Sequence, residues 1–226
     1  MGVHNCFRIY ESQNQKGKCR FILADYYISI DSDPFDRIDS MIVPELILAV
    51  DVHYDNNHAV VAGVIFNKWD DGIASSSHVS TVDQVSDYIP GRFYKRELPC
   101  IIQLLKEHNL SPEYILIDGY VYLDGNASPG LGSHLYDALQ HKVKVIGVAK
   151  KPFIGITRKY EVYRGASKKP LYVTCAGIQL ANAKTLVTSM HGDHRIPTLL
   201  KMVDQLSRNE LLGSDQHNLL NNKNNR

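Results

Sequence analysis

The spacing of apolar and polar positions predicts a β-hairpin early in the readable part of the chain. Residues 46–54 (LILAVDVHY) and 59–69 (AVVAGVIFNKW) are apolar runs rich in β-branched side chains, and a turn-forming segment, DNNH, separates them. Two such runs across a short polar turn favour antiparallel strands. Residues 78–85 (HVSTVDQV) predict a third strand.

The period of the pattern then changes from that of a strand to that of a helix. After Pro90-Gly91, apolar residues recur at spacings of three and four, at Leu98, Ile101, Ile102 and Leu105, which predicts an amphipathic helix ending near Asn109. Apolar runs at 114–123, 143–149 and 171–175 predict strands, and helices are predicted over 133–141 and around Ile196, Leu199, Leu200, Val203 and Leu206. Antiparallel strands followed by alternating helices and strands predict an α/β mixed sheet with helices packed on it.

The length of the chain favours one domain. With 226 residues, of which 44% are hydrophobic, it can bury one sizeable core. Residues 1–43 are less readable, although residues 19–30 (CRFILADYYISI) could pair with residues 7–12 (FRIYES). We expect residues 213–226, which are rich in Asn, to form a frayed end.

Several classes of protein are disfavoured by the composition. No apolar run reaches the roughly 18 residues that a membrane-spanning helix needs, and the first ten residues do not resemble a secretory signal. The four cysteines are scattered without a CxxC pair, which favours buried free thiols over a zinc ribbon or a redox dithiol. We therefore expect a cytoplasmic protein that has no membrane partner and is a monomer.

Charge is distributed unevenly along the chain. Residues 1–140 contain 10 Lys and Arg against 19 Asp and Glu, a net −9, whereas residues 141–226 contain 15 against 5, a net +10. This asymmetry is typical of a basic face for a polyanion beside an acidic region for cations, although charges from both halves could also mingle on the surface. The candidate phosphate contacts are Arg158, Lys159, Arg164, Lys168 and Lys169.

Acidic residues stand at places where a strand pattern predicts burial. Asp51 interrupts one apolar strand, Asp118 follows another, and Glu97 lies early in the first helix. A buried carboxylate is costly unless it is paired, solvated or bound to a metal, and ligands gather at the carboxyl ends of strands in α/β sheets. Carboxylates without thiolates favour Mg²⁺, with Mn²⁺ as a possible substitute. Each acid taken alone could equally be a solvated edge or turn residue.

Two further residue types add candidate chemistry. Lys150 follows the strand VIGVA, where it could hold a phosphate oxygen or be a solvated loop cation. The segment MHGDH contains His191 and His194, but no cysteine or histidine spacing completes a zinc site around them. His194 could instead orient a water molecule or act in acid–base catalysis, or it could be a surface histidine.

Four motifs occur along the chain in the order AVDVHY, DYIPGRFYKRE, LIDG and VIGVAKK. They resemble the first aspartate motif, the PYIPG-x(3)-F-R-E motif, the second aspartate motif and the lysine motif of the endonuclease V family. The resemblance covers residues 44–212, and the combination is far more specific than any single motif.

The resemblance implies a metal-dependent nuclease with a ribonuclease H-like fold, a mixed sheet with helices on both faces. Asp51, Glu97 and Asp118 match the metal-binding acids of the family, Lys150 matches its catalytic lysine, and His194 lies in DHRIP where the family often has GHR. The implied reaction is Mg²⁺-dependent hydrolysis of DNA or RNA that contains inosine, at the second phosphodiester on the 3′ side of the lesion.

The resemblance also implies a lesion-reading wedge before the first helix. An apolar tip can enter the base stack and fill the gap left by a displaced base. Gly119 matches a family glycine beside the second aspartate, where the backbone can approach the displaced base, and Phe93 could line the same pocket. The wedge residues are Tyr88, Ile89, Pro90 and Gly91.

One segment departs from the family pattern. Many members continue the second aspartate as DGHG-x(2)-HPR, whereas this chain reads DGYVYLDGNASPG, with Tyr120 and Asp124 nearby, before GLGSHL resumes the family pattern. The choice between DNA and RNA, and the reading of the lesion, therefore stay open. The alternatives are a structure-specific nuclease for branched or single-stranded DNA and a module that binds a lesion without cutting.

Overall fold

A computed structural model describes residues 12–13, 19–20, 45–55, 58–83 and 94–209. The chain divides into two compact units, Met1–Val43 and Pro44–Arg226. In the first unit, strands β1 (Ser12–Gln13) and β2 (Cys19–Arg20) pair antiparallel. Ser12 and Cys19–Arg20 belong to the two segments, residues 7–12 and 19–30, that were predicted to pair. The single domain over residues 1–226 stays a prediction, and the tail 213–226 lies outside the described residues.

A seven-stranded mixed sheet forms the centre of the second unit. Its strand order is β5-β4-β3-β6-β7-β9-β8. Strand β3 is antiparallel to β4 and parallel to the central strand β6, which is in turn parallel to β7. The strands are β3 (Ile47–Asp55), β4 (His58–Phe66), β5 (Ser76–Asp83), β6 (Tyr114–Ile117), β7 (Lys144–Ala149), β8 (Glu161–Val162) and β9 (Leu171–Ala176).

Helices cover both faces of this sheet. They are α1 (Tyr94–Glu107), α2 (Leu131–Ala138), α3 (Leu180–Ser189) and α4 (residues 198–209). Alternation along β3 sends Ile47 and Ala49 into a core with α3 and α4, and Leu48 and Val50 into a core with α1 and α2. The prediction of an α/β mixed sheet with helices on both faces is confirmed.

Two elements differ from the sequence pattern. Helix α3 was not expected, because its buried positions are the small residues Ala183 and Val187, which give a weak apolar period. Strand β6 ends at Ile117, well short of the predicted 123, and Gly119 just beyond it has φ +145°, a conformation that favours glycine and ends the extended run.

Two other expectations concern the cysteines and membrane-spanning helices. Cys100 is a buried free thiol and Cys175 a half-buried one, as the spacing of the cysteines predicted for these two. In the part of the chain that the structure describes, no helix is both long and apolar enough to cross a membrane.

Candidate active site

The register of the parallel strands places Asp51 and Asp118 side by side. Val50 of β3 pairs with Ile117, the last residue of β6, so each aspartate follows one member of that pair. Strand β3 continues to Asp55 while β6 has ended, which leaves space beside Asp51 at the carboxyl edge of the sheet. Asp51 has the same parity as Ile47 and Ala49, and it therefore faces the side of the sheet that α3 and α4 cover.

A third carboxylate, Asp204 of α4, completes a cluster that the sequence did not indicate. One carboxylate oxygen from each of Asp51, Asp118 and Asp204 lies within 4.8 Å of the others. Helix α4 carries Asp204 to this edge because Leu199 and Val203 are buried against the sheet. The only sequence signal was the position of Asp204 beside that apolar stripe, which many solvated boundary residues share.

Lys150 holds two members of this cluster. Its Nζ donates to Asp118 Oδ2 at 2.7 Å and to Asp204 Oδ1 at 3.3 Å. Burial lowers the pKa of Lys150, but the hydrogen bond and charge of Asp118 and the charge of Asp204 outweigh it, and the pKa is raised overall. Lys150 is therefore a cation at neutral pH, at the position where strand β7 delivers it to the carboxylates.

The other two partners of the cluster also come from α4. Arg208 Nε and Nη2 donate to Asp204 at 3.1 and 3.3 Å. Burial raises the pKa of Asp204, but Arg208 and Lys150 lower it overall. Ser207, which is fully buried, donates its hydroxyl to Asp51 Oδ2 at 2.6 Å.

The pKa values of Asp51 and Glu97 are raised by burial and by the neighbouring carboxylates. Burial raises the pKa of Asp51, Ser207 opposes this, and the charges of Asp118 and Asp204 raise the pKa further. Glu97 of α1 is only 7% exposed, and burial, followed by the charges of Asp51 and Asp118, raises its pKa well above the usual range. Ionised together, these acids repel one another, and a bound cation would relieve the repulsion.

The donor set fits a hard divalent cation. The described residues that converge within 4.8 Å offer carboxylate oxygens and neither thiolate nor imidazole. Oxygen donors of this kind suit Mg²⁺ or Mn²⁺, whereas structural zinc sites use cysteine and histidine. Asp51, Asp118 and Asp204 are the residues placed to hold the ion, with Glu97 outside the 4.8 Å group but close enough to sense their charge.

The other predicted site residues are placed as follows. His194 is exposed on the segment between α3 and α4, outside the 4.8 Å carboxylate group, and its backbone carbonyl accepts from Arg164 Nη1 at 3.1 Å. Around Gly119, beside Asp118, no atom of the described residues other than its two chain neighbours lies within 4 Å of where a Cβ would be, so among these residues its backbone borders open space. The predicted wedge and pocket residues lie outside the described residues, namely Tyr88, Ile89, Pro90, Gly91 and Phe93.

One candidate phosphate contact was wrong. Arg164 is only 5% exposed, and its guanidinium donates to the backbone carbonyls of Met190, Gly192 and His194, among others. It fixes the segment after α3 instead of facing solvent. The other four candidates, Arg158, Lys159, Lys168 and Lys169, are exposed, and their contact with phosphate stays a prediction.

A second arginine holds the main chain of Lys150. Arg195 Nη2 donates to the carbonyl of Lys150 and, at 2.7 Å, to that of Pro170, to which Nε also donates at 3.2 Å. The guanidinium therefore ties the end of β7 to the residue before β9. Arg195 adjoins His194 in DHRIP, but no local pattern indicated its contact with the main chain of Lys150.

The segment that departs from the family pattern is held by Tyr120 and Asp124. Asp124 accepts from the backbone N–H groups of Asn126, Ala127 and Ser128 at 2.9–3.1 Å, and these bonds lower its pKa. Tyr120 reaches across to the segment after Lys150, where its hydroxyl donates to the Lys151 carbonyl at 2.7 Å. The two residues thus have local structural partners of their own.

Comparison with known proteins gives consistent results. The family model described as Endonuclease V matches residues 34–169. Endonuclease V of Alkalilimnicola ehrlichii is 29% identical over 128 residues, which are 55% of this chain and 54% of that protein. Endonuclease V of Streptomyces coelicolor is 27% identical over 186 residues, 72% of this chain and 77% of the relative. The chain thus spans about half the length of the first of these relatives.

Solved structures share the fold. Endonuclease V of Streptomyces avermitilis superposes with a TM-score of 0.62 at 25% identity, over 75% of this chain and 82% of that one. Endonuclease V of Ciona intestinalis, in complex with a 24mer DNA containing an inosine followed by a ribo-adenosine, has a TM-score of 0.64 at 22% identity, over 77% and 89%. The ribonuclease H-like fold expected from the resemblance is confirmed, and with the family model matching more than half of its length, the chain belongs to the endonuclease V family.

Proposed function

We propose that this protein is a divalent-metal-dependent endonuclease that hydrolyses DNA or RNA containing inosine at the second phosphodiester 3′ to the lesion. The observation that carries the proposal is the convergence of Asp51, Asp118 and Asp204 within 4.8 Å, with Lys150 bonded to two of them. Membership of the endonuclease V family supports the same chemistry. We propose Mg²⁺ as the ion, with Mn²⁺ as a substitute, because the donors are all carboxylates.

The carboxylates and Lys150 have different roles in the proposed reaction. A bound divalent ion supplies positive charge that polarises a phosphate oxygen and lowers the pKa of a water molecule. Asp51, Asp118 and Asp204 would hold that ion, and Ser207 keeps Asp51 oriented through its 2.6 Å hydrogen bond. Because a phosphate would compete for Lys150 Nζ, we expect the longer of its contacts, 3.3 Å to Asp204, to give way, so that the ammonium neutralises charge on the reacting phosphate.

Glu97 and His194 take part in different ways. Glu97 is buried at the start of α1 and lies outside the 4.8 Å group, and we propose that it joins the metal-binding acids when a bound cation favours its ionised form. His194 is exposed on a segment that Arg164 fixes. We assign it a role in acid–base chemistry or in orienting water near the scissile phosphate.

Inosine is proposed as the lesion because of the segment before α1. The wedge sequence Tyr88, Ile89, Pro90 and Gly91 ends three residues before α1 begins at Tyr94, and α1 carries Glu97. Attachment to one helix would hold the displaced base at a constant distance from the cluster, so that cleavage away from the lesion follows from geometry. Stacking on an aromatic side chain contributes about 1–3 kcal/mol, comparable to the cost of displacing a poorly paired base.

The pocket for that base would lie beside Asp118. The space beside Gly119, which is open among the described residues, supports a close approach of the base to the backbone. The assignment of Phe93 to the same pocket stays a prediction. If Tyr88→Ala cleaved inosine and adenine substrates as the parent protein does, the wedge assignment would be abandoned.

A second candidate function is a structure-specific nuclease. Tyr120 and Asp124 occupy the segment where many relatives carry His and Arg, and both are committed to local hydrogen bonds. If those family residues are needed to read hypoxanthine, the same cluster would cut branched or single-stranded DNA instead.

The free thiols Cys100 and Cys175 support a reducing compartment such as the cytoplasm, and the monomeric state stays a prediction.

Matched oligonucleotides test the proposal. DNA and RNA strands with and without a single inosine, together with an unmodified flap, are incubated with the protein in Mg²⁺. Asp51→Asn is the inactive variant, and Asp70→Asn, which changes an exposed aspartate after β4, is the matched control. The proposal predicts a nick two bonds 3′ to inosine that Asp51→Asn abolishes and Asp70→Asn keeps. Equal cutting of unmodified flaps would favour the second candidate, and binding without any cutting would refute both.

A further inference from the structure

The segment after Lys150 forms a tight turn with an apolar residue at its apex. Ile156 donates its backbone N–H to the Phe153 carbonyl at 3.1 Å, and Gly155 has φ +90°. A positive φ at the third position is the requirement of a type II turn, which glycine meets without strain. The second position, Ile154, is 92% exposed. The turn therefore presents a large aliphatic side chain to solvent.

The base of this turn is fastened to the rest of the fold. The Tyr120 hydroxyl donates to the Lys151 carbonyl at 2.7 Å and accepts from the Phe153 N–H at 3.1 Å. The rings of Tyr120 and Phe153 meet edge to face at 6.1 Å. Phe153 thus contributes to holding the turn, whereas Ile154 does not. An apex that is already ordered loses little conformational entropy when it binds a partner.

The charges around the apex suit a polyanion. Lys151, Arg158 and Lys159 are exposed, and the sequence from residue 150 to residue 160 contains no acidic residue. Asp124 lies beside the turn, with its Cβ 3.8 Å from where a Cβ on Gly155 would be, but its carboxylate accepts from three backbone N–H groups of residues 126–128. Apolar side chains used in this way insert against base steps of nucleic acids, while neighbouring cations contact the phosphates. A single isoleucine among cations is a poor membrane anchor, since interfacial helices bury a whole apolar face.

The apex is also close to the carboxylate cluster along the chain. Ile154 lies four residues after Lys150, whose Nζ contacts Asp118 and Asp204. Four residues span at most about 13–14 Å. Because the phosphates of one strand are spaced about 3.4 Å apart along the axis of a duplex, the Ile154 backbone lies within about four nucleotides, measured along that axis, of the Lys150 backbone.

We propose that the Ile154 apex is a nucleic-acid contact that packs against a nucleobase within about four nucleotides of the scissile phosphate. The inference rests on the proposed function, since it needs a nucleic acid in the site. It adds a contact on the segment that follows β7, in addition to the wedge proposed above. Ile154 holds a base in a destacked position there, while Lys151, Arg158 and Lys159 contact the adjoining phosphates.

The test compares Ile154→Ala with a matched control. Ile73 is 85% exposed and lies between β4 and β5, at the end of the sheet where Phe66 pairs with Ile47, opposite the Asp51 edge. Both isoleucines are almost fully exposed, so neither substitution threatens folding. Dissociation constants are measured for an inosine-containing oligonucleotide in EDTA, where no cleavage occurs. We expect Ile154→Ala to raise Kd about tenfold, as loss of one partly buried aliphatic side chain implies, and Ile73→Ala to leave it within about twofold.

A base analogue locates the contact. With 2-aminopurine placed in turn at each of the four positions on either side of the scissile bond, we expect one position to brighten on binding the wild-type protein and not on binding Ile154→Ala. Equal Kd values and equal fluorescence for the two isoleucine variants would overturn the contact. So would a loss of binding of Ile154→Ala to phosphatidylserine vesicles with oligonucleotide binding unchanged.

The outcomes separate this contact from the proposed function. If the wild-type protein cuts at inosine and Ile154→Ala binds and cuts identically, the contact is wrong and the function stands. If the wild-type protein does not distinguish inosine but Ile154→Ala still binds DNA about tenfold more weakly, the lesion assignment is wrong and the contact stands. If the wild-type protein binds no oligonucleotide, both are wrong.

Discussion

Removing the charge of Asp51 should stabilise the metal-free protein while it abolishes metal binding and cleavage. Asp51→Asn keeps the shape of the side chain and an oxygen that can accept from Ser207 at the position of Oδ2. What it removes is the repulsion of Asp51 by Asp118 and Asp204. Loss of the repulsion should stabilise the protein without a divalent ion, whereas loss of metal binding should remove the stabilisation that the ion gives. These two effects on stability have opposite signs, which makes the prediction specific.

The magnitude follows from the distances. Carboxylate oxygens within 4.8 Å repel by about 3.5 kcal/mol per pair at an effective dielectric constant of about 20. Asp51 has two such neighbours, but its attraction to Lys150 offsets part of this, and the partial exposure of Asp118 and Asp204 screens more. We expect a net gain of about 1–3 kcal/mol in the free energy of unfolding, where each kcal/mol raises Tm by about 2–4 °C in a domain of this size.

Thermal unfolding in EDTA and in Mg²⁺ measures both effects. In EDTA, Asp51→Asn should melt above the wild-type protein. In Mg²⁺ at 100 times Kd, the wild-type protein gains about 2.7 kcal/mol, and the variant should gain much less. Asp70→Asn, an exposed aspartate away from the cluster, should follow the wild-type protein in both conditions. A lower Tm of Asp51→Asn in EDTA would refute the reasoning, because it would mean that repulsion does not dominate the cluster.

Three further predictions follow from the surroundings of the cluster. Burial raises the pKa of Asp51 and Glu97 in the folded state, so the folded protein binds more protons than the unfolded one, and metal-free stability should fall as pH rises from about 4 through those raised values. Urea midpoints in EDTA measure this dependence, and Glu97→Gln should flatten its slope. Stability that rises over the same pH window would contradict the prediction. Ser207→Ala should raise the Mg²⁺ concentration for half-maximal cleavage about 10- to 100-fold by releasing Asp51, and an unchanged Mg²⁺ dependence would exclude this positioning role. Arg195→Lys cannot donate to the Pro170 carbonyl through two nitrogens and also to the Lys150 carbonyl, so it should lower kcat about tenfold with little change in KM in steady-state assays. An effect on KM alone would point to substrate binding instead.

Local patterns predicted a large share of the fold. Alternate residues of the apolar runs β3 and β4 pack into the two cores on opposite faces of the sheet, and helix α1 buries Ile101 and Leu105 as its spacing indicated. Helix α3 escaped the pattern because Ala183 and Val187 bury so little side chain that its period is weak. Strand β6 was overestimated because an apolar run does not show where the backbone leaves the sheet, which happens before Gly119 at φ +145°.

The residues of the candidate site also divide into those that the sequence pattern indicated and those that it did not. Asp51 and Asp118 could be picked out because a charge at a strand position is unusual, and because parallel strands bring their carboxyl ends to one edge. Asp204 could not, since it lies on a helix where charged residues at the edge of an apolar stripe are common. Arg164 was misassigned because a sequence of basic residues does not distinguish an exposed side chain from one that donates to buried carbonyls.

By itself, the sequence determined which segments form β3, β4 and α1, which acids interrupt them, and which family the ordered motifs resemble. These properties depend on neighbours a few residues apart, which a local pattern records. Only the tertiary structure decided that Ser207 bonds to Asp51, 156 residues away, and that Asp204 joins the same cluster. Both contacts exist because burying one face of α4 against the sheet fixes where its polar residues lie, and that position depends on the packing of the whole domain.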